Sequence, residues 1–217
     1  MDEMVRQWLA DQGAMRPIGD GLRTDADLPV LVREACRVGV AEPAIPGWPD
    51  FPRGLSWVGE VMAIAARRGV APGESVRLGC MWLPRHVLCH LPEEDRSPYR
   101  PILDMARQAV ARGAPAGAWI GVGGDLLGAL PTDRGGFEAS VIRDAAEELL
   151  DAAMGWVEPH LAAARIAMAG AVLAAGATPE MRESDARDAG MAVLLRCAGD
   201  LHGARTAART PPIVPDR

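Results

Sequence analysis

Three times along this chain a small or basic run meets a glycine and then a proline, and this recurring stop constrains the fold more than any other feature. The stops read Ala66, Arg67, Arg68, Gly69, Val70, Ala71, Pro72; then Val110, Ala111, Arg112, Gly113, Ala114, Pro115; then Leu173, Ala174, Ala175, Gly176, Ala177, Thr178, Pro179. Glycine suits the left-handed residue after a helix, and proline, whose missing N–H is not needed in a first turn, opens the next one. Helices joined by such short turns fold back on one another as antiparallel hairpins. The glycines are unequally spaced, which disfavours a repeat solenoid.

Between the stops, apolar residues recur at helical spacing. Residues 2–12 form an amphipathic stretch with Met4, Val5, Trp8 and Leu9, and Gly13 is suited to end it. Thr24 to Asp27 offers N-caps for a helix to about Arg37, striped by Leu28, Leu31, Val32, Ala35 and Cys36, with Gly39 as its C-cap. A helix beginning near Ser56 carries Trp57, Val61, Ile64 and Ala65 on one face. Further helices are expected at about 74–83, 84–91, 98–112, 116–130, 137–157, 160–175 and 179–202. The fold class that follows is all-α, a compact bundle of antiparallel helical hairpins in a single domain spanning 1–208. The tail 209–217, with Pro211, Pro212 and Pro215, is expected to be disordered.

Composition sharpens this. Aromatic residues are 4% of the chain against 49% hydrophobic, with alanine and glycine prominent, so the core should be built from closely approaching helices. All 23 basic residues are arginine, which rules out a Schiff-base lysine, a Walker lysine and a lysine general base. A formal net charge of −6 argues against a nucleic-acid partner, because phosphate recognition needs clustered positive charge. The opening Met1, Asp2, Glu3 is acidic and lacks the apolar run of a secretory signal, so a cytoplasmic location is expected. The run from Leu161 to Ala177 is apolar but interrupted by Arg165, and reads as a buried helix with no membrane span expected.

Residues 43–54 break the helical pattern. Pro43, Pro46, Pro49 and Pro52 favour an extended loop, and Trp48 and Phe51 are the groups large enough to pin it, either onto the protein's own core or onto a partner.

Chemically distinctive residues crowd between Cys80 and Pro92. On a helix over 84–91, His86, Cys89 and His90 would share a face, and with Cys80 they offer four zinc donors. The spacing nevertheless lacks a CxxC pair and the glutamate of HExxH, so packing histidines and thiols are favoured; no cofactor is expected, with zinc as the alternative. The glycines at 117, 121, 124 and 128 lack GxGxxG and the P-loop lysine, and form instead a small-residue stripe for close helix approach. Asp144, Glu147, Glu148 and Asp151 share one face of the helix over 137–157, read as a solvated acidic face or a dock for a basic partner. Without ExxH motifs on other helices they do not make a di-metal site. Cys197, Asp200 and His202 point apart on a helix, and no serine, Ser75 included, stands in a GxSxG turn.

The segment Glu74 to Cys89, with its Leu83, Pro84, Arg85, followed by Ala106 to Trp119, resembles an uncharacterised family of alanine-rich helical proteobacterial proteins found near type VI secretion genes. This chain departs from that family's tryptophan-rich turn, having Val87, Leu88, Cys89, His90 there, and Val122 to Asp125 in place of a Ser-Gly-Gly segment. The resemblance implies an accessory or adaptor role and supplies no functional residues. Taken together, the expectation is a non-enzymatic cytoplasmic adaptor, scaffold or chaperone-like protein binding another protein, possible contacts being Trp48, Phe51, Asp144, Glu148 and Asp151. The alternative is a metal-binding enzyme or sensor centred on His86, Cys89 and His90.

Overall fold

In the computed structural model of the protein, the residues described are 21, 27–40, 50–112, 120–130, 136–176 and 183–209. They are helical, with no strand among them. Eight α-helices follow in order: α1 Leu28–Val40, α2 Asp50–Arg67, α3 Pro72–Trp82, α4 Arg100–Arg112, α5 Ile120–Gly128, α6 Phe137–Met154, α7 Pro159–Gly176 and α8 Glu183–Arg209. Between α3 and α4 lie a π turn, Leu83–Val87, and three short 3-10 turns, Leu88–His90, Glu93–Asp95 and Ser97–Tyr99.

The organising element is α7. It packs against α2, α3, α6, α8 and the π turn, while α1 lies on α2 and α8, and α4 lies on α3 and α6. By length and composition α7 passes the test for a membrane-spanning helix, and it alone does so among the described residues. Its apolar character has a simpler cause: with neighbours on several sides it must be apolar nearly all round, and Ala162, Ala163, Ala164, Ile166, Ala167, Ala171 and Leu173 are buried. Arg165, the charge that interrupts the run, points outward and pairs with Glu148 of α6.

Close approach to α7 is bought with small side chains. A Cβ on Gly79 of α3 would stand 3.0 Å from Leu149 Cδ1 and 3.2 Å from Ile166 Cδ1, so three helices meet there. Gly59 of α2 lies against the Met168 thioether in the same way. The large groups that fill the remaining space, among them Trp82, Leu83, Met62, Ile102, Ile142 and Leu150, are fully or almost fully buried.

Several boundaries differ from the expected ones. Residues 50–54 belong to α2, not to an extended loop. Pro52 stands in the first turn, where its missing N–H has no intrahelical acceptor to lose, so proline there is compatible with a helix. The rest of that expected loop, Trp48 included, lies outside the described residues, as do the helix over 2–12 and all of the tail beyond Arg209. Arg209 itself closes α8, which runs seven residues past its expected end at 202. The first helix continues through Gly39 to Val40.

The glycine of the first stop acts differently from expectation, and Gly113 of the second lies outside the described residues. The described glycine with positive φ is Gly155, at φ 78°, which ends α6 at Met154 while the N–H of Trp156 bonds the carbonyl of Asp151. Gly69 is not left-handed; its smallness admits Arg205 of α8, whose Cγ would lie 3.3 Å from an added Cβ. The turn at 68–71 delivers α2 and α3 each onto α7, whereas α6 with α7 and α7 with α8 pack as neighbouring hairpin arms.

Candidate functional site

The joint from Cys80 to Pro92 does not form the expected α-helix. Pro84 has no N–H to donate to the carbonyl of Cys80, and the chain widens: the N–H of Leu88 reaches back five residues to the carbonyl of Leu83. It then tightens, with the N–H of Leu91 on the carbonyl of Leu88 at 3.0 Å. This change of pitch breaks the shared face on which His86, Cys89 and His90 were placed. His86 is 4% exposed. Cys89 is exposed and His90 half-buried. Among the described residues no three His, Cys, Asp or Glu side chains are grouped so as to hold a metal ion.

His86 is seated in a notch of α7 at Gly170, and its Nε2 is buried without a hydrogen-bond partner among the described residues. Burial, then the cations of Arg85 and Arg196, hold its pKa below the ordinary histidine value, with Asp200 acting in the opposite sense. Asp200 ties the same joint to α8. Its Oδ2 accepts a 3.0 Å hydrogen bond from the Trp82 indole and lies 3.9 Å from Arg85 Nη1. A buried indole N–H needs such an acceptor, so Trp82 and Asp200 fix the register of the joint against α8.

A second polar constellation, which no sequence motif announced, joins α2, α3 and α7. Ser75 Oγ and His160 Nδ1 are 2.7 Å apart, both side chains being buried. His160 Nε2 faces Glu158 Oε1 at 3.7 Å, and the other carboxylate oxygen accepts from Arg67 Nε at 3.0 Å and Nη2 at 2.7 Å. Serine, histidine and carboxylate are the parts of a nucleophilic triad, but Ser75 is 0% exposed, so no substrate reaches its hydroxyl. What the group does is hold three helices together. The residues are 85 positions apart in sequence, and only folding brings them together.

The acidic stripe is where the sequence put it. Asp144 is exposed, and Glu147, Glu148 and Asp151 are half-buried on the outer side of α6. Ser140 Oγ donates to Asp144 at 3.4 Å. Burial, reinforced by the charges of Glu147 and Glu148, raises the Asp151 pKa above the ordinary carboxylate value. The structure adds two residues the sequence reading passed over: Phe137, the first residue of α6, is 71% exposed and Trp156, two residues past its end, is 53% exposed. Phe51 falls in the first turn of α2, and Trp48 lies outside the described residues.

The chain matches no family profile, no curated protein and no solved structure. Its chemistry has therefore to be read from its own side chains. Burial raises the Cys36 thiol to about 12 and Cys80 to about 11, and raises Cys197 further, with Asp200 adding to the shift. Thiols held this high are protonated near neutrality, and the thiolate is the nucleophilic form. Cys89 is exposed, yet partial burial outweighs nearby Arg96 and its pKa too is raised.

Proposed function

We propose that this protein is a non-enzymatic adaptor, scaffold or chaperone-like component that works in the cytoplasm by binding another protein, and that the outer side of α6 is its docking surface. The observation that carries this reading is the exposure of Phe137 and Trp156 at the two ends of one helix. Large aromatic rings left in water are unfavourable, and each would contribute roughly 1.5–3 kcal/mol if buried by a partner. Such rings are frequent anchors of protein interfaces. Between them, over about 27 Å of helix, stand Asp144, Glu147 and Asp151, with Glu148 already paired to Arg165, so the partner of matching chemistry offers arginine or lysine flanked by apolar residues. The inert thiols and the burial of Ser75 support a binding role over a catalytic one.

The test is recovery from native cytoplasm, comparing the unaltered protein with Phe137→Ala/Trp156→Ala and with Asp144→Arg/Asp151→Arg. A partner retained by the unaltered chain and lost from both variants, each still folded by circular dichroism, is the expected result. Equal recovery with all three proteins, or a free monomer throughout, overturns it.

A further inference from the structure

We propose that His160 is a proton-operated latch on the joint between α2, α3 and α7: neutral, its Nδ1 accepts a hydrogen bond from Ser75 and keeps the joint shut; protonated, it loses that acceptor, becomes a buried cation beside Arg67, and loosens its hold on the first turn of α3. The argument begins with geometry. Glu158 faces Nε2 at 3.7 Å, which favours the tautomer with its proton on Nε2 and leaves Nδ1 to accept from the Ser75 hydroxyl at 2.7 Å. Adding a proton to Nδ1 removes that acceptor. The Ser75 hydroxyl must then turn and receive the hydrogen bond instead, inside a site where Ser75 has no access to water.

Charge is the second part. The charged groups acting on His160 are Glu158, from its own segment, and Arg67 from α2, while α3 contributes the neutral Ser75. One carboxylate is thus set against two cations once the ring is protonated, and Arg67 already takes Glu158 through two hydrogen bonds. Burial, the largest influence, disfavours the imidazolium; Glu158 favours it, and Arg67, acting less strongly than Glu158, disfavours it. Relief comes from letting the ring reach water, which means parting α7 from the first turn of α3, where Ser75 stands, and from Arg67 at the end of α2. The segment leading into that turn of α3 is bridged by the N–H groups of Gly69 and Val70 on the carbonyl of Ala66 and of Glu74 and Ser75 on the carbonyl of Ala71, with Arg205 of α8 packed against Gly69.

The experiment is amide hydrogen exchange on the full chain at pH 7.5 and 5.5, corrected for intrinsic rates, with the His160 ring titration followed by NMR. Amides of residues 67–76 are expected to exchange about tenfold faster at the lower pH, with amides in the middle of α8 unchanged, and the midpoint of opening should coincide with the ring's own titration. His160→Gln keeps a polar partner for Ser75 but cannot titrate, and is expected to abolish the acid effect. Acid opening that persists in His160→Gln overturns the proposal. Should that variant not fold, the unaltered protein decides: unchanged exchange at 67–76, or an opening midpoint displaced from the ring titration, overturns it equally.

Discussion

Gly170 of α7 lies directly against His86 of the π turn: a Cβ on Gly170 would stand 2.8 Å from the His86 Cβ and 3.0 Å from its carbonyl oxygen. Neither neighbour is the far end of a flexible side chain. The chain can widen at Pro84 and still bury His86 because the central helix offers no side chain at the point of contact.

Gly170→Ala is therefore expected to destabilise the protein by about 1–3 kcal/mol, the usual cost of overpacking. Gly203→Ala is the control. Gly203 lies within α8 with open space around the added methyl, so the better helix propensity of alanine should raise stability by roughly 0.5–1 kcal/mol. Urea denaturation of the two variants checks both signs; a harmless Gly170→Ala would show that the contact yields.

Trp82→Phe removes the donor to Asp200 while keeping an aromatic ring in a site that is 0% exposed. The loss of that hydrogen bond to a charged acceptor and of part of the ring's packing should cost about 2–3 kcal/mol. Asp200→Leu in the Trp82→Phe background should cost less than the sum of the single changes, since the two residues share one interaction. A double-mutant cycle by denaturation measures the coupling, and strict additivity would refute it.

Stability is expected to fall as pH drops below about 6.5. His86, His90 and His160 all have folded pKa values lowered, chiefly by burial. Between those values and the ordinary one the unfolded chain binds more protons, so stability rises with pH through that window and is lost on acidification. Asp151 acts oppositely and in more acid solution: its raised pKa favours the folded state where the carboxyl is protonated and loses that contribution as pH rises. Urea midpoints from pH 5 to 8 test this, and a flat profile would count against it.

Elemental analysis addresses the zinc alternative. With His86 buried in the Gly170 notch and Cys89 exposed, the freshly purified protein is expected to carry sub-stoichiometric metal, unchanged by His86→Ala or Cys89→Ser. One zinc per chain, lost in either variant, would restore the metal reading.

The sequence by itself determined the helical class, the approximate positions of the helices between Ser56 and His202 apart from the one expected over 84–91, the largely buried status of the apolar run at 161–176 and the acidic side of α6. These depend on local periodicity, on proline and glycine, and on charge spacing, which neighbouring residues impose on one another. Only the tertiary structure decided that Gly69 makes room for Arg205 while Gly155 takes the left-handed turn, and that Pro84 opens a π turn that separates His86 from Cys89. The same holds for the pairing of Ser75 with His160 and of Trp82 with Asp200, 85 and 118 residues apart. The physical reason is common to all of them. A helix's period states which residues share a face, but which faces meet, and where a missing side chain lets two backbones touch, depends on packing around α7 that no local pattern encodes.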